Sequence, residues 1–280
     1  MNQQIDKYPA QIRRDIVRMV NGANSGHPGG SIGTVEFFTA LFFEILDINP
    51  ANFSVGSTGE DTFLLSNGHI TPVYYSTLAR RGYFDLKELA TFRRLGTRLQ
   101  GHPSVHDGLP GVRIASGSLG QGLSVALGVA QGKKLNNDNH LVYTLHGDGE
   151  LQEGQIWEAV LYAGAKGVDN LIATVDYNNA QIDGKVDDVL SLGDLKAKFQ
   201  AFNWTVVDIE KGNDLQAVIN GLKQAKSLTG QGKPVAVLLH TKMGYGIDFM
   251  QDDYRWHGKA LNDEQLEKAL AQLPETLGDY

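Results

Sequence analysis

The feature that most constrains the fold is a strand–turn–helix–strand unit between His140 and Asp176. Residues 141–145 (Leu-Val-Tyr-Thr-Leu) are typical of a strand and lead into a Gly-Asp-Gly turn. A helical pattern follows over residues 153–165, and a second strand pattern covers residues 171–175. Two strands joined by a helix form a right-handed crossover, so this segment predicts two parallel strands in one sheet.

The rest of the chain repeats this alternation of strands and helices without an internal repeat or a Ser/Pro-rich linker. It therefore predicts the α/β class, with a doubly wound, mainly parallel sheet flanked by helices, in a single domain over residues 1–280. Thr34 is expected to cap one helix, and Asn21-Gly22 to end another. Further strands are expected at residues 63–65, 204–209 and 234–240, and helices at 12–20, 34–46, 118–135, 214–225 and 262–273.

Charge and composition exclude several classes of function. The 25 Lys and Arg residues against 32 Asp and Glu residues give a net charge of −7, so a nucleic-acid-binding face is not expected. The absence of cysteine removes disulfides, Cys-ligated zinc, iron–sulfur clusters and thiol catalysis, and it fits a cytoplasmic protein. The most apolar helical stretch, residues 37–46, contains Glu44 and is too short to span a membrane.

Polar side chains follow the two strands of the crossover at the point where each strand ends. Asp148 lies in the Gly-Asp-Gly turn after the first strand, and Asn178 follows the second. Ligands of parallel sheets bind at the carboxyl ends of the strands, so we expect these two side chains to meet. Carboxylate and amide oxygens suit Mg²⁺ or Ca²⁺, and Mg²⁺ keeps open positions for phosphate oxygens. The sequence therefore predicts a metal-dependent diphosphate site.

Gly-Asp-Gly followed some 30 residues later by Asn resembles the thiamine-diphosphate motif, and the surrounding residues 147–184 resemble the transketolase family. Four further segments resemble that family and occur in its order along the chain. They are Ser-Gly-His-Pro-Gly-Gly at residues 25–30, Leu-Ser-Asn-Gly-His at 65–69, Gly-His-Pro at 101–103 and Ser-Leu-Gly-Gln-Gly at 118–122. The resemblance covers nearly the whole chain and implies the thiamine-diphosphate-binding fold.

The resemblance implies roles for individual residues in holding thiamine diphosphate and Mg²⁺ (or Ca²⁺). The metal ligands would be Asp148, the Asn178 side chain and the backbone carbonyl of Ala180. The remaining contacts to the cofactor divide between its two ends. Gly147 and Gly149 would shape the diphosphate turn, His69 would hydrogen-bond a diphosphate oxygen, and backbone atoms of Gly117 and Leu119 would meet the aminopyrimidine ring.

Histidines form the second group of candidate residues. Transketolases move a two-carbon ketol unit, and an imidazole that titrates near neutral pH can carry the hydroxyl proton that this reaction transfers. By resemblance, His27 and His257 (in Trp-His-Gly) would act beside the reacting carbonyl, and His102 would hold the donor's hydroxyls. The other histidines are expected to be structural, although a pocket position stays open for His146; they are His106, His140, His146 and His240.

Two glutamates on the helix after the Gly-Asp-Gly turn allow two interpretations. In the first, Glu153 and Glu158 are ordinary residues of a solvated helix face. In the second, which the resemblance suggests, they lie at a subunit interface between active sites. Lys242 follows the last strand, and the sequence assigns it no role.

The resemblance covers only the N-terminal, diphosphate-binding part of a transketolase. The pyrimidine-binding domain, with the glutamate that activates the cofactor and most groups that hold a sugar phosphate tail, is expected on a partner chain in a 2+2 assembly. The expected reaction is ketol transfer from a ketose (phosphate) donor to an aldose (phosphate) acceptor. Another thiamine-diphosphate reaction (deoxyxylulose-phosphate synthase-like or 2-oxo-acid dehydrogenase-like) and a non-catalytic binding or regulatory homologue remain alternatives.

Overall fold

A computed structural model describes residues 4–56 and 58–280, so residues 1–3 and Ser57 of the predicted domain lie outside the described residues. The strands found in the described part form one sheet, in which every neighbouring pair is parallel. Their order across the sheet is β1-β2-β3-β5-β4. The strands are β1 (Thr62–Leu65), β2 (Val142–Gly147), β3 (Leu171–Tyr177), β4 (Thr205–Ile209) and β5 (Val235–His240).

Helices connect the strands and cover both faces of the sheet. None of the helices in the described ranges is long and apolar enough to cross a membrane. They are α1 (Tyr8–Ala23), α2 (Pro28–Gly33), α3 (Val35–Ala40), α4 (Thr71–Arg81), α5 (Gly122–Leu135), α6 (Gly154–Lys166), α7 (Val186–Leu190), α8 (Leu195–Ala201), α9 (Leu215–Ser227) and α10 (Asp263–Gln272).

Alternating strand residues supply two cores, one on each face of the sheet. Phe63 and Leu65 of β1 pack on the core built with α1, α3, α4 and α9. Leu64, between them, faces the second core, which α5, α6 and α8 complete. Successive side chains of a strand point to opposite faces, so burial of all four β1 residues requires helices on both sides. The prediction of a doubly wound α/β sheet is therefore confirmed.

Thr34 is the N-cap residue of α3, as expected, but its side chain forms no capping hydrogen bond. Residues 28–33 already form α2, which begins at Pro28, and Thr34 joins this helix to α3. The Thr34 hydroxyl instead donates to the carbonyl of Gly30 at 2.9 Å. The sequence does not predict α2, because its residues are rich in glycine, which disfavours helices in isolation.

Two further helix ends differ from the sequence prediction. Helix α1 continues past Asn21-Gly22 and ends at Ala23, and its C-cap Asn24 takes the left-handed conformation with a φ of 47°. Helix α5 begins at Gly122 and not at residue 118, because Gly120 has a φ of 85° and interrupts any helix there. Residues 118–121 thus remain a loop, and this loop reaches the candidate site.

Candidate active site

A cavity of about 310 Å³ opens at the carboxyl ends of β2 and β3. The register pairs Gly147 with Asp176, so the residues that follow each strand enter the same space. Ten of the residues that the sequence singled out line this cavity. They are His27, His69, Gly117, Leu119, Gly147, Asp148, Gly149, Asn178, Ala180 and His257.

Asp148 and Asn178 meet at this edge of the sheet. The Asp148 carboxylate accepts hydrogen bonds from the backbone N–H groups of Gly149 at 2.8 Å and Asn179 at 2.5 Å. The Asn178 side-chain oxygen accepts from the N–H of Ala180 at 2.8 Å. These bonds fold the segment after β3 onto the turn after β2. A carboxylate, an amide oxygen and the backbone of Ala180 therefore border one small volume.

The electrostatics of this edge favour a cation. Burial, followed by the nearby charge of Asp176, raises the pKa of Asp148 to about 8. Burial likewise raises the pKa of Asp176 to about 7, even though Thr241 and Asn178 donate hydrogen bonds to it. Within the described residues, neither carboxylate has a cationic partner among the ion pairs. A hard divalent cation would compensate both, so the residues present fit Mg²⁺ or Ca²⁺.

The Gly-Asp-Gly turn is held from behind by Glu150. Its buried carboxylate accepts from the N–H of Gly147 at 3.2 Å, from the N–H of Gly120 at 2.9 Å and from the Ser66 hydroxyl. One side chain thus fastens together the ends of β1 and β2 and the loop before α5, and all three border the cavity. Burial raises the pKa of Glu150, but His146 first, and then the hydrogen bonds from Ser66 and Gly120, hold it below its usual value.

The two glycines of the turn contribute space for a ligand and not hydrogen-bond donors. The N–H groups of Gly147 and Gly149 are already bonded to Glu150 and Asp148. A Cβ on Gly147 would meet no atom within 4 Å, because it would enter open space beside the cavity. The turn is followed directly by a 3₁₀ segment, Gly149–Gln152, and α6 begins only after it.

Four histidines lie close together above this edge. The ring centroid of His27 is 5.0 Å from that of His69, 5.6 Å from that of His257 and 6.4 Å from that of His102. Burial is the main cause that lowers the pKa of each ring, to about 4 for His27. All four are therefore neutral imidazoles at neutral pH, the form that can accept a proton.

Several buried polar atoms around the cavity have no hydrogen-bond partner within the described ranges. They include the Nδ1 atoms of His27 and His257 and the Oδ1 atom of Asn67. Buried polar atoms are normally satisfied, so unpaired atoms on one cavity wall mark a place for a polar ligand. Gly117 has a φ of 137°, and a Cβ there would lie 2.7 Å from the His102 ring, which places this loop directly against that histidine.

The other candidate residues lie outside the cavity. Glu153 and Glu158 are exposed, and Glu158 borders a shallow depression between α5 and α6. Lys242 is exposed and lies 3.7 Å from Asp252. His146 is buried, and its Nε2 atom lies 2.8 Å from the Thr144 hydroxyl, so it does not reach the cavity.

Sequence reasoning missed some residues of this site. Asn67 stands in the Leu-Ser-Asn-Gly-His segment, and Asp176 lies in β3 two residues before the predicted metal ligand. Both positions could have been noticed as polar residues at strand ends. Glu150 gave only a weak signal, a charged residue after the Gly-Asp-Gly turn. Met243 and Ile182 line the cavity through tertiary packing that no local pattern reveals.

Comparison with known proteins identifies the family. A family model described as "Transketolase, thiamine diphosphate binding domain" matches residues 6–275. The chain belongs to the transketolase family. It carries that family's thiamine-diphosphate-binding domain, as its resemblance to the family implied.

Two relatives are separate transketolase subunits of nearly this length. The chain is 38% identical to 6-deoxy-6-sulfo-D-fructose transketolase subunit SqwG of Clostridium sp. (strain MSTE9), with 97% of each chain covered. It is 36% identical to an apulose-4-phosphate transketolase subunit of Actinobacillus succinogenes, with 97% of this chain and 96% of the relative covered. A transketolase of Staphylococcus epidermidis is 35% identical, but only 39% of that protein is covered.

Solved transketolase structures agree in fold. The transketolase of Campylobacter jejuni matches with a TM-score of 0.87 and 34% identity, over 98% of this chain and 43% of that one. The transketolase of Leishmania mexicana gives a TM-score of 0.89 and 29% identity, over 99% of this chain and 42% of that one. The chain thus corresponds to the N-terminal part of longer transketolases. The predictions of family, fold and N-terminal transketolase subunit are confirmed, and the names of the two shorter relatives imply a partner.

Proposed function

We propose that this chain is the diphosphate-binding half of a two-chain transketolase, and that a C-terminal subunit with the pyrimidine-binding domain completes it. One observation carries the proposal. Asp148 and Asn178 meet at adjoining strand ends, at the base of a cavity that neutral histidines also line. That arrangement serves one end of thiamine diphosphate and the reacting carbonyl, while residues 1–280 form the single domain that holds them.

In this proposal a metal would lie at the sheet edge. Asp148, Asn178 and the carbonyl of Ala180 would hold Mg²⁺ (or Ca²⁺), which would supply positive charge for the diphosphate. Gly147 and Gly149 keep space for the diphosphate, His69 donates to it, and Gly117 and Leu119 border the aminopyrimidine ring. Bound thiamine diphosphate supplies the nucleophilic carbon that ketol transfer requires.

The histidines manage protons and orient the sugar. The ring centroids of His27 and His257 lie 5.6 Å apart. Both are neutral at neutral pH, so either can accept the hydroxyl proton released as a carbon–carbon bond breaks and return it to the acceptor. His102, at the exposed side of the cluster, would bind donor hydroxyl groups in this proposal.

We place the partner on the face formed by α5 and α6. Val125, Leu161 and Tyr162 are exposed there, each to 43% or more, beside Glu158. Apolar side chains grouped on neighbouring helices are typical of a surface that another chain covers. Glu153 and Glu158 then belong to the interface, in a 2+2 assembly with the cofactor between unlike subunits.

The substrates are proposed by class. The relatives are named for sugars that carry an anionic group, a phosphate in apulose-4-phosphate and a sulfonate in 6-deoxy-6-sulfo-D-fructose. We therefore propose a ketose donor with an anionic tail, such as a ketose phosphate, and an aldose (phosphate) acceptor. The histidines of this chain lie at the predicted cofactor site, where the reacting carbonyl would bind. In this proposal the anionic tail of the substrate is therefore held by the partner. A cytoplasmic location fits the absence of cysteine.

Reconstitution tests the proposal. This chain, its candidate partner and their mixture are assayed with thiamine diphosphate, Mg²⁺, a panel of ketose phosphates and an aldose phosphate acceptor. We expect ketol transfer in the mixture and none in either chain by itself. Transfer by this chain without a partner would contradict the two-chain assembly, and turnover of pyruvate as donor would favour a different thiamine-diphosphate reaction.

A further inference from the structure

Arg93 lies between the two loops that carry His27 and His102. We propose that Arg93 is a positioning residue that fixes both loops and so holds these two imidazoles in place for substrate proton transfer. This inference rests on the proposed function for its catalytic consequence. Its structural part concerns only the residues of this chain and can be tested without any turnover.

The guanidinium of Arg93 contacts both loops directly. Its Nη1 donates to the hydroxyl of Ser25 at 2.8 Å, two residues before His27. A Cβ on Gly101 would lie 2.6–2.8 Å from Cζ, Nε and Nη2 of Arg93, so the guanidinium packs against the glycine that precedes His102. One planar group therefore sets the position of both histidine loops.

The backbone of Arg93 is also held in an uncommon conformation. Its φ is 57°, in the left-handed region, and its N–H donates to the carbonyl of Leu99 at 2.8 Å. Non-glycine residues rarely adopt this conformation unless the surrounding structure imposes it, and such residues concentrate at functional sites. The loop thus directs the Arg93 side chain inward.

Arg93, which is partly buried, differs from two arginines with enclosed side chains in lacking a carboxylate partner among the described residues. Arg13 pairs with Glu36 and Arg80 pairs with Asp15. Arg93 forms no ion pair among the residues described here, and its Nε and Nη2 atoms are buried without a hydrogen-bond partner. Leaving such donors unpaired costs free energy, so the unneutralised charge calls for a function.

The charge acts on the histidines beside it. The ionisable groups that face His27 are His69, His102, His257 and Arg93, and His102 faces His27 and Arg93. Burial is the main cause that lowers both pKa values; Arg93 adds to it, after His257 in the case of His27 and next after burial in the case of His102. It is the one permanent cation in this group, so removal of its charge should raise both pKa values.

The decisive experiment measures histidine pKa values by NMR in the full, histidine-labelled chain. Arg93→Met removes the charge at similar size, Arg93→Lys keeps the charge, and Ser25→Ala removes only the anchor. We expect Arg93→Met to raise the pKa of His27 and His102 by about 0.5–1 unit. Arg93→Lys and Ser25→Ala should leave them within about 0.2 unit of the wild type.

Activity of the reconstituted complex supplies the second readout. Arg93→Met should move the acidic limb of the kcat–pH profile upward with the imidazole pKa, whereas Arg93→Lys should lower kcat without moving that limb. Unchanged pKa values in Arg93→Met, or in Arg93→Gln should the first variant not fold, would overturn the inference. Shifted pKa values in a complex that transfers no ketol unit would instead refute the proposed function.

Discussion

Among the described residues, the buried carboxylates of Asp148 and Asp176 form no ion pair with a cationic side chain. Asp148 is 1% exposed, and the nearby Asp176 is 2% exposed. Backbone N–H groups donate to Asp148, but they do not cancel the cost of burial, since its pKa is raised. A bound divalent cation would stabilise the ionised form of both side chains. Loss of the carboxylate should therefore remove metal-dependent cofactor binding.

Replacement of Asp148 by alanine is expected to weaken Mg²⁺-dependent thiamine-diphosphate binding roughly 100-fold or more. Isothermal titration of the reconstituted complex measures this affinity. The exposed Asp188, replaced in the same way, is the matched control and should bind normally. Ala180→Ser should also bind normally, because the proposed ligand at that position is a backbone carbonyl. Tight binding by Asp148→Ala would contradict the metal assignment.

Partly buried histidines make stability depend on pH. Their pKa values are lowered in the folded chain, to about 4 for His27, from about 6.5 when unfolded. Through these rings the unfolded chain binds more protons than the folded chain as pH falls through this window, whereas Asp148 and Asp176, with raised pKa values, bind more protons in the folded chain. The histidine contribution to the free energy of unfolding should therefore decrease from about pH 6.5 towards pH 4, by about 1.4 kcal/mol per pH unit for each excess proton.

Urea unfolding of the full chain between pH 4.5 and 7.5 measures this dependence. His27→Gln should reduce the slope by roughly one proton, whereas His106→Gln, on an exposed histidine, should not change it. A slope that His27→Gln leaves unchanged would show that this imidazole is protonated freely in the folded chain.

For individual residues, the sequence could predict candidate metal ligands but not the long-range contacts that hold them in place. Asp148 and Asn178 could be predicted because each follows a strand, and parallel strands end at a common edge. Glu150 and Arg93 act through contacts with segments tens of residues away, at Ser66 and at Ser25. No local period encodes such contacts, so these two residues emerged only from the structure.

At the level of helices and strands, close packing of a helix on a neighbouring segment depends on small residues at particular positions. Gly164 of α6 is buried, and a Cβ there would lie 1.7 Å from the carbonyl oxygen of Phe202. Gly132 of α5 has no atom within 4 Å of the same position. Alanine stabilises a helix relative to glycine only where there is room for its methyl group.

The two glycines should therefore respond to alanine in opposite directions. Gly164→Ala is expected to destabilise the chain by about 3 kcal/mol or more, since backbone must move. Gly132→Ala is expected to stabilise it by about 0.5–1 kcal/mol. Thermal and urea unfolding measure both changes. Equal effects of the two substitutions would mean that α6 does not pack closely on residue 202.

Element boundaries were harder to predict than element order. The helix predicted over residues 262–273 is confirmed as α10, because Asn262 and Gln265 form a capping box that is visible in the sequence. The start of α5 was placed four residues early, since the loop of residues 118–121 looks helical in composition. That loop is fixed by a tertiary hydrogen bond from Gly120 to Glu150.

At the scale of the whole molecule, the repeated strand–helix alternation made the sheet predictable. This alternation does not indicate which outer face another chain covers, because the exposure of surface residues depends on how the chains assemble. The face of α5 and α6 carries Leu161, 55% exposed, between Glu158 and Tyr162 in sequence. Burial of such side chains by a partner stabilises association, whereas a charge placed among them must be desolvated.

Leu161→Asp is therefore expected to weaken association with the pyrimidine-binding partner by about tenfold or more, while the isolated chain keeps its unfolding midpoint. Leu95→Asp, on a leucine that is fully exposed in a loop outside this face, is the matched control and should assemble normally. Sedimentation of the mixed chains measures the complex. If Leu161→Asp assembled like the control, the partner would have to bind another face, and the roles proposed for Glu153 and Glu158 would fail with it.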